Sequence, residues 1–176
     1  MGELDIPRAL EPYAERIIKV PFMDFKKLPY VIASVDINIA PLLDTQFNRA
    51  KSEIKWIEAA LVKVPTVASN VGAFAKMIEP GVTGILCSSQ EEWEDHLNAL
   101  LSDEKLRRNI AQQAYDFCMA NCTTISSSSG LCNFIREQQK ENAIMVLPSL
   151  ETSGGVMVAM EHAKILQKHG IDISLV

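Results

Sequence analysis

Cationic and amide side chains cluster between positions 48 and 55. Asn48, Arg49 and Lys51 stand directly before Ser52, a residue type that favours a helix start, and Lys55 follows one turn after Lys51. The first turn of a helix exposes free N–H groups and a partial positive charge, so anions bind there. The segment therefore predicts an anion site with Asn48, Lys51, Ser52 and Lys55 as candidate ligands, and a solvated loop end is the alternative.

One carboxylate, Glu58, interrupts the apolar residues of the helix predicted over 52–63. An ionised side chain among apolar neighbours indicates either a ligand contact or an ordinary solvated position. The apolar periodicity of this helix predicts an inner stripe made of Ile54, Ile57, Ala60 and Leu61.

The cysteines and histidines do not form a recognisable metal motif. The sequence has four cysteines but no CxxC pair, and its three histidines are not at zinc-finger spacing from them. Ordinary reduced thiols and no metal site are therefore expected. No cofactor is expected either. The cysteines are Cys87, Cys118, Cys122 and Cys132.

Composition narrows the class of protein. The chain has 176 residues, is 48% hydrophobic and carries a net charge of -5, which fits a globular domain with a real core. An acidic balance argues against nucleic acid as a partner. The sequence shows neither a signal peptide nor an apolar run of transmembrane length, so the cytoplasm is the expected location. In a full-length protein, a peripheral position at the inner membrane face is a further expectation.

Strand-like and helix-like segments alternate through the first 121 residues. This alternation predicts an α/β fold with a mostly parallel, Rossmann-like sheet flanked by helices. Ligands bind beyond the carboxyl ends of such strands, so the loop 42–52 and the link SNV (69–71) should face the site. The predicted strands are 16–20, 36–42, 65–69 and 85–88, and the predicted helices are 26–34, 52–63, 72–78, 90–101 and 103–121. Ser52, Ser88 or Ser89, and Ser102 are the predicted N-caps of the three longer helices.

A second pattern follows a composition shift at 122–130, where four consecutive serines and a glycine predict a linker. A helix is predicted over 131–142. A strand at 142–150, a glycine turn at 151–155, a helix at 156–170 closed by Gly170 and a strand at 171–176 then make a βαβ unit. A right-handed crossover needs more sheet than this unit supplies alone, so either the chain is a piece of something longer or these strands add to the first sheet. The Gly154-Gly155 turn is compatible with phosphate, although it lacks the GxGxxG spacing.

Three motifs carry a family resemblance. DINIAPL, KSEIKWIEAALVKVPTVASNVG and EPGVTGILC follow the order and spacing of the C-terminal, donor-binding domain of a GT-B glycosyltransferase, family 4 type (glycosyl transferases group 1). VLPSLETSGGV and HAKILQKHG resemble the N-terminal start of such an enzyme. The resemblance thus implies a partial nucleotide-sugar-binding domain at 1–121, a Ser-rich linker and helix at 122–141, and the start of a second GT-B-like N-terminal domain at 142–176.

The resemblance also implies roles for individual residues. Glu58 corresponds to the family glutamate that hydrogen-bonds the ribose hydroxyls, and a carboxylate suits a diol because it accepts two hydroxyl hydrogens. Lys51 stands where the family has another glutamate, which contacts the donor sugar, so the sugar identity is open. A lysine there suits a phosphate or a carboxylated sugar. Gly154 and Gly155 correspond to the glycine turn of the next module.

The implied function is transfer of a hexose or deoxyhexose from a nucleotide-diphospho-sugar to a glycan acceptor, in polysaccharide or cell-surface glycan synthesis. The resemblance further implies that the anomeric configuration is retained and that no metal is needed. It also implies that this chain is inactive alone, and no catalytic residue can be assigned in it. A non-catalytic module for assembly or acceptor holding is the alternative. An unrelated flavodoxin-like or receiver-like domain would need an acidic cluster, which the sequence lacks. Unpaired sheet edges predict a homodimer.

Overall fold

The computed structural model describes residues 6–137, 142–147 and 154–176. The strands are β1 (Asn38–Ala40), β2 (Thr66–Ser69), β3 (Ile85–Cys87), β4 (Asn142–Met145) and β5 (Asp172–Leu175). The helices are α1 (Leu28–Ile32), α2 (Gln46–Arg49), α3 (Ile54–Leu61), α4 (Gly72–Met77), α5 (Gln90–Ser102), α6 (Glu104–Asn121), α7 (Thr124–Glu137) and α8 (Gly154–Lys168). Two 3₁₀ helices, Arg8–Arg16 and Phe25–Lys27, precede α1.

The strands form two parallel sheets. In the first, β2 lies between β1 and β3, with Val67 opposite Ile39 on one side and Ile85 on the other. In the second, β4 pairs with β5. The predicted α/β fold and the final βαβ unit are therefore confirmed. The suggestion that the last strands add to the first sheet is wrong, because β4 and β5 pair with each other in a sheet of their own.

Both faces of β2 are buried, because consecutive side chains of a strand point to opposite faces. Ala68 packs with Trp56 of α3 and Ala114 of α6 on one face. Val67 packs with Leu100 of α5 on the other face, where Ile110 of α6 joins them. Helix α6 therefore contributes side chains to the core on each face of the first sheet.

Trp56 fixes α3 against the turn that leads into β3. Its side chain is fully buried, and its indole N–H donates to the backbone oxygen of Thr83 at 2.8 Å. Gly84 makes room for this contact: a Cβ there would lie 2.9 Å from Cγ2 of Ile78 and 3.5 Å from the indole nitrogen of Trp56. Trp56 is thus a core residue.

The strand predicted at 16–20 is absent. Arg16 ends a 3₁₀ helix, the following residues pair with no described strand, and the Ile18 side chain is 87% exposed. An apolar, β-branched run forms a strand only where a neighbouring strand and a covering layer bury it. Neither is present around Ile18 in the described part of the chain.

Most of the serine-rich segment predicted to be a linker is helical, because α7 begins at Thr124. Thr123 and Ser126 cap the start of α7 reciprocally: each hydroxyl accepts from the other residue's backbone N–H, at 3.2 Å and 3.1 Å. Cys132 and Ile135 of α7 are then buried against α8 and β5. Capping and an apolar stripe thus outweigh the weak helix propensity of serine. Whether the segment links two modules stays a prediction.

Several predicted helix ends need adjustment. Ser89 caps α5 by accepting from the Glu92 N–H, as predicted. Asp103, not Ser102, caps α6, because its carboxylate accepts from the Leu106 N–H. Gly170 ends α8 with φ +79°, a conformation that favours glycine. Within the described residues, no helix is long and apolar enough to cross a membrane.

Replacing Trp56 tests the importance of its buried hydrogen bond. Trp56→Phe should lower the free energy of unfolding by about 2 kcal/mol, because it leaves the Thr83 carbonyl without a donor and opens a small cavity. Chemical denaturation measures this loss. Trp93→Phe is the matched control, since Trp93 is only partly buried, and an equal loss in both variants would contradict the role assigned to Trp56.

Candidate functional site

The loops after β1, β2 and β3 meet at one edge of the first sheet and enclose a cavity of about 520 Å³. We call it the strand-end cavity. Residues of the loop 42–52 and of the link 69–71, both predicted to face the site, line this cavity. The loop after β3 adds a third side that the sequence reasoning missed. Its signal was the serine pair that leads into α5. The lining residues are Leu42, Leu43, Asp44, Ser69, Asn70, Val71, Cys87, Ser88, Ser89, Gln90 and Trp93.

A second cavity of about 230 Å³ lies at the start of α3, and we call it the helix-start cavity. Lys51, Ser52 and Lys55 line it, so the structure brings together three of the predicted anion ligands. Leu42, Ile54 and Phe74 complete the lining. No acidic side chain is among these residues. Because Leu42 lines both cavities, the two adjoin.

Asn48 belongs to the loop that precedes this cavity and lines neither cavity. Its side-chain amide donates to the backbone oxygen of Leu43 at 2.9 Å. Its backbone N–H donates to the Thr45 hydroxyl, which caps the short helix α2. The described contacts of Asn48 therefore stabilise the loop, and its predicted role as an anion ligand stays untested.

Arg49 is engaged within the same loop. Its guanidinium donates two hydrogen bonds to the Asp44 carboxylate, one of them at 2.7 Å. The hydrogen bonds from Arg49 lower the pKa of Asp44. Gly72, with φ +59°, lets the start of α4 approach the Arg49 backbone, because a Cβ there would lie 2.9 Å from its Cα. The Arg49 charge is thus paired rather than free for an anion.

Ser52 lines the helix-start cavity but does not cap α3. The helix begins at Ile54, and Glu53 occupies the N-cap position without a side-chain hydrogen bond. The predicted cap was wrong because the backbone of Glu53, not that of Ser52, closes the first turn: its oxygen accepts from the Trp56 N–H at 2.8 Å. The N–H groups at this helix end thus have no side-chain cap within the described residues.

Glu58 lies one turn after Ile54 on α3, close enough to Lys55 for the two charges to interact. Its side chain is half-buried, and this burial raises the pKa of Glu58, which the charge of Lys55 partly opposes. Among the described residues, no side chain or N–H donates a hydrogen bond to the Glu58 carboxylate. Glu58 lines neither cavity, and it lies about one helical turn after Lys55, which lines the helix-start cavity.

The buried face of α3 differs from the predicted stripe. Trp56, Ala59 and Ala60 are fully buried. Ile54 is 50% exposed and Leu61 37% exposed, so both were wrongly placed in the core. With Trp56 buried on the inner side of α3, Lys55 is exposed and Glu58 is half-buried.

Gly154 and Gly155 lie apart from these residues in the fold. They form the first turn of α8, which packs on α7 and β5 around a separate core. The predicted turn is therefore helical at 154–155, and 151–153 fall outside the described residues. A Cβ at either glycine would meet no atom within 4 Å, so no close approach of described atoms requires glycine there. Their predicted ligand role remains untested.

The thiols are poorly suited to nucleophilic or metal chemistry. Burial raises the pKa of Cys118 to about 12, and the neighbouring thiol of Cys122 adds to this shift. Burial also raises the pKa of Cys87. The thiolate is the reactive and metal-binding form, and these shifts disfavour it. The described residues hold no group of three or more His, Cys, Asp and Glu side chains that suits a metal ion.

A parallel sheet with helices on both faces and cavities at the strand ends defines a Rossmann-like α/β domain. The sequence profile of one family, described as glycosyl transferases group 1, matches residues 1–103. This match covers more than half of the 176 residues. The chain therefore belongs to the glycosyl transferases group 1 family, as its motifs predicted.

Solved structures resemble the chain to different degrees. The C-terminal domain of a glycosyl transferase group 1 family protein (LpcC) from Francisella tularensis is 26% identical with a TM-score of 0.54, over 66% of this chain and 62% of that one. This likeness confirms the predicted GT-B, Rossmann-like fold. HepE from Anabaena, solved with UDP, is 19% identical with a TM-score of 0.48, over 61% of this chain and 29% of that one. Its complex with UDP-glucose is 20% identical with a TM-score of 0.49, over 62% and 30%.

The chain spans less than two thirds of the length of these solved proteins. No curated protein matches it.

The half-buried carboxylate predicts a pH-dependent stability. The raised pKa of Glu58 means that the folded chain keeps its proton to a higher pH than the unfolded chain does. Folding is therefore penalised as the pH rises from the ordinary glutamate pKa through the raised one, and the penalty persists above it. Glu58→Gln removes the penalty, so this variant should unfold at an equal or higher temperature than the wild type at pH 7, with the difference vanishing near pH 4.

Thermal unfolding at several pH values measures this difference. Glu94→Gln, which removes an exposed carboxylate from α5, is the matched control. A Glu58→Gln variant that is less stable than the wild type at pH 7 would show that the carboxylate stabilises the fold.

Proposed function

We propose that the chain provides the nucleotide-sugar-binding part of a glycosyltransferase, which transfers a sugar from a nucleotide-diphospho-sugar to a glycan acceptor. The observation that carries this proposal is that Glu58 interacts electrostatically with Lys55, which lines the helix-start cavity together with Lys51 and Ser52. A nucleotide-diphospho-sugar combines a ribose diol with a diphosphate. The Glu58 carboxylate on α3 can accept hydrogen bonds from the diol, and Lys51 and Lys55 at the start of α3 can bind the diphosphate.

The helix-start cavity suits an anionic group. Lys51 and Lys55 are both exposed, and neither forms an ion pair within 4.0 Å with a described carboxylate. Lys51 Nζ instead lies 4.8 Å from the centre of the Phe47 ring, a contact that holds the side chain without neutralising it. The start of α3 adds its free N–H groups and dipole to the two charges. A phosphate fits this arrangement better than a neutral group does.

Glu58 suits the ribose of the same ligand. Its half-buried carboxylate has no hydrogen-bond donor among the described residues, although burial penalises its charge. A vicinal diol supplies two O–H donors and so compensates this penalty on binding. A carboxylate that is costly to the free protein and satisfied by a ligand is typical of a binding site.

The wider activity rests on the family. We infer a hexosyl or deoxyhexosyl transfer with retention of configuration, in polysaccharide or cell-surface glycan synthesis, with cationic side chains and helix dipoles instead of a metal. The cytoplasm, or the inner membrane face in a full-length protein, is the location that we propose. We also propose that this chain alone is inactive and that 142–176 begin a second glycosyltransferase module. Catalytic residues are not assigned.

The runner-up is a non-catalytic module used for assembly or for holding an acceptor. One feature favours it: Lys51 occupies the position where the resemblance places the glutamate that contacts the donor sugar. In that case the fold would be kept and nucleotide affinity lost.

Calorimetric titration with UDP, GDP and dTDP tests the proposal. One of the three should bind, and Lys51→Ala and Lys55→Ala should each weaken it about tenfold by removing a charge-assisted contact to phosphate. Glu58→Gln should weaken it by a similar factor through the ribose. Lys105→Ala on α6 and Glu94→Gln on α5 replace exposed residues outside both cavities and should change nothing. Absence of binding by all three nucleotides would favour the non-catalytic module.

The edge of the first sheet leads to a proposal about assembly. In the described part of the chain, β1 pairs with β2 on one side and with no strand on the other. Its Ile39 side chain is 56% exposed. Unpaired edges favour association between chains. We propose that the chain forms a homodimer, which sedimentation equilibrium would detect. Ile39→Lys should shift the equilibrium towards monomer, because it places a charge at the unpaired edge. A wild-type chain that stays monomeric at high concentration would refute the proposal.

A further inference from the structure

We propose that residues 16–30, which we call the basic aromatic segment, bind the surface of an anionic lipid bilayer. The inference rests on the proposed function only in the membrane location, for which it names the surface, and it does not require nucleotide binding. The segment lies outside both cavities, because none of its residues lines either of them.

The charge of the basic aromatic segment is opposite to that of the whole chain. Four cations and one carboxylate give it a net charge of +3, whereas the chain carries -5. The balance stays at +2 when the preceding 3₁₀ helix is included. The four cations are exposed, and none forms an ion pair within 4.0 Å with a described carboxylate. They are Arg16, Lys19, Lys26 and Lys27. Basic clusters of this kind are attracted to the negative surface potential of anionic lipids.

Large apolar side chains of the same segment are exposed to solvent. Phe22 is 91% exposed, Tyr30 79% and Phe25 65%. Ile18, which the predicted strand would have buried, is exposed with them. Single exposed apolar residues are ordinary, but several within one short segment mark an interaction surface. Aromatic rings favour the region between the lipid headgroups and the acyl chains, where one side of the ring is apolar and the other is wet.

The combination of free cations and exposed rings fits a bilayer better than it fits a protein partner. Residues 17–24 have no regular secondary structure. An extended segment of this kind does not present the preformed, closely packed surface that a specific protein interface needs. A bilayer requires no such match of shape, because headgroups and acyl chains rearrange around the side chains that enter them. Its anionic headgroups supply the charge that the cations lack within the fold.

The fold anchors the end of the basic aromatic segment against the helix that carries the candidate site. The Asp24 carboxylate, the one negative charge of the segment, accepts from the Lys26 N–H at 3.0 Å and caps the second 3₁₀ helix. Helix α1 follows directly and packs on α3. Leu28, Val31 and Ile32 of α1 are partly buried, whereas Tyr30 is exposed. Binding of the segment to a bilayer would therefore hold α3 close to the lipid surface.

Co-sedimentation of the chain with lipid vesicles tests the inference. The test vesicles contain phosphatidylglycerol and phosphatidylcholine in equal parts, and vesicles of phosphatidylcholine alone are the comparator. The wild type should bind the anionic vesicles and not the neutral ones. High salt should weaken this binding, because it screens the attraction between the cations and the headgroups.

Removing two cations tests the electrostatic part of the inference. Lys26→Gln/Lys27→Gln should weaken binding to the anionic vesicles about thirtyfold, since each basic residue near an anionic surface contributes a factor of about five. Lys76→Gln/Lys105→Gln is the matched control, because it makes the same change at exposed lysines of α4 and α6. The control should bind like the wild type.

Removing one ring tests the apolar part. Phe22→Ser should weaken binding about tenfold, because the ring no longer leaves water on binding. Phe134→Ser, at a phenylalanine of α7 that is 59% exposed, is the matched control and should bind like the wild type. Thermal unfolding shows whether all four variants are folded.

Three results with the vesicles would overturn the inference: no binding of the wild type to anionic vesicles, equal binding to neutral ones, or unchanged binding in both segment variants. Sedimentation equilibrium without lipid adds a fourth. A wild type that binds no vesicles, but whose dimer dissociates in Phe22→Ser, would assign the segment to an interface between copies of the chain. Calorimetric nucleotide titration of Lys26→Gln/Lys27→Gln should match the wild type, so a failure of nucleotide binding would count only against the proposed function.

Discussion

The hydrogen bond from the Trp56 indole to the Thr83 oxygen orients the helix that carries the candidate site. It joins the middle of α3 to the turn before β3 in a fully buried environment, and Gly84 leaves the space that it needs. With Trp56 facing inwards, the geometry of the helix leaves Lys55 exposed and Glu58 half-buried on its other side.

The loop before α3 depends on a second set of contacts. Asp44 and Arg49 pair across five residues, and the Asn48 amide holds the Leu43 carbonyl. These polar residues lie in a segment that looks like a cluster of free ligands in the sequence. In the structure they bind one another and leave Lys51 and Ser52 as the residues that line the helix-start cavity. Within this short segment, some polar residues therefore stabilise the loop, while Lys51 and Ser52 are available to a ligand.

The sequence was most informative where local pattern and burial agree. β2, with all four side chains buried, and α5, with its serine cap, were predicted closely because pattern, cap and environment point the same way. Prediction failed where tertiary contacts decide. Ile18 has no partner strand to bury it. The serine run is helical because α7 packs against α8. Ile54 is exposed because Trp56, and not Ile54, occupies the buried face of α3. Lys51, Ser52 and Lys55 could be grouped from spacing alone. The hydrogen bonds that Asn48 and Arg49 make within their loop could not be predicted from spacing, because they depend on the path of the backbone. The same holds for the third loop of the strand-end cavity.

The most direct test of the account is amide chemical-shift mapping of the whole chain during titration with the nucleotide diphosphate that binds. The account predicts that the largest changes lie at 51–58, around the start of α3 and Glu58, and that the first turn of α8 does not respond. Changes centred on Gly154 and Gly155 instead would place the phosphate site on the second βαβ unit and contradict the assignment of α3 as the nucleotide-binding helix.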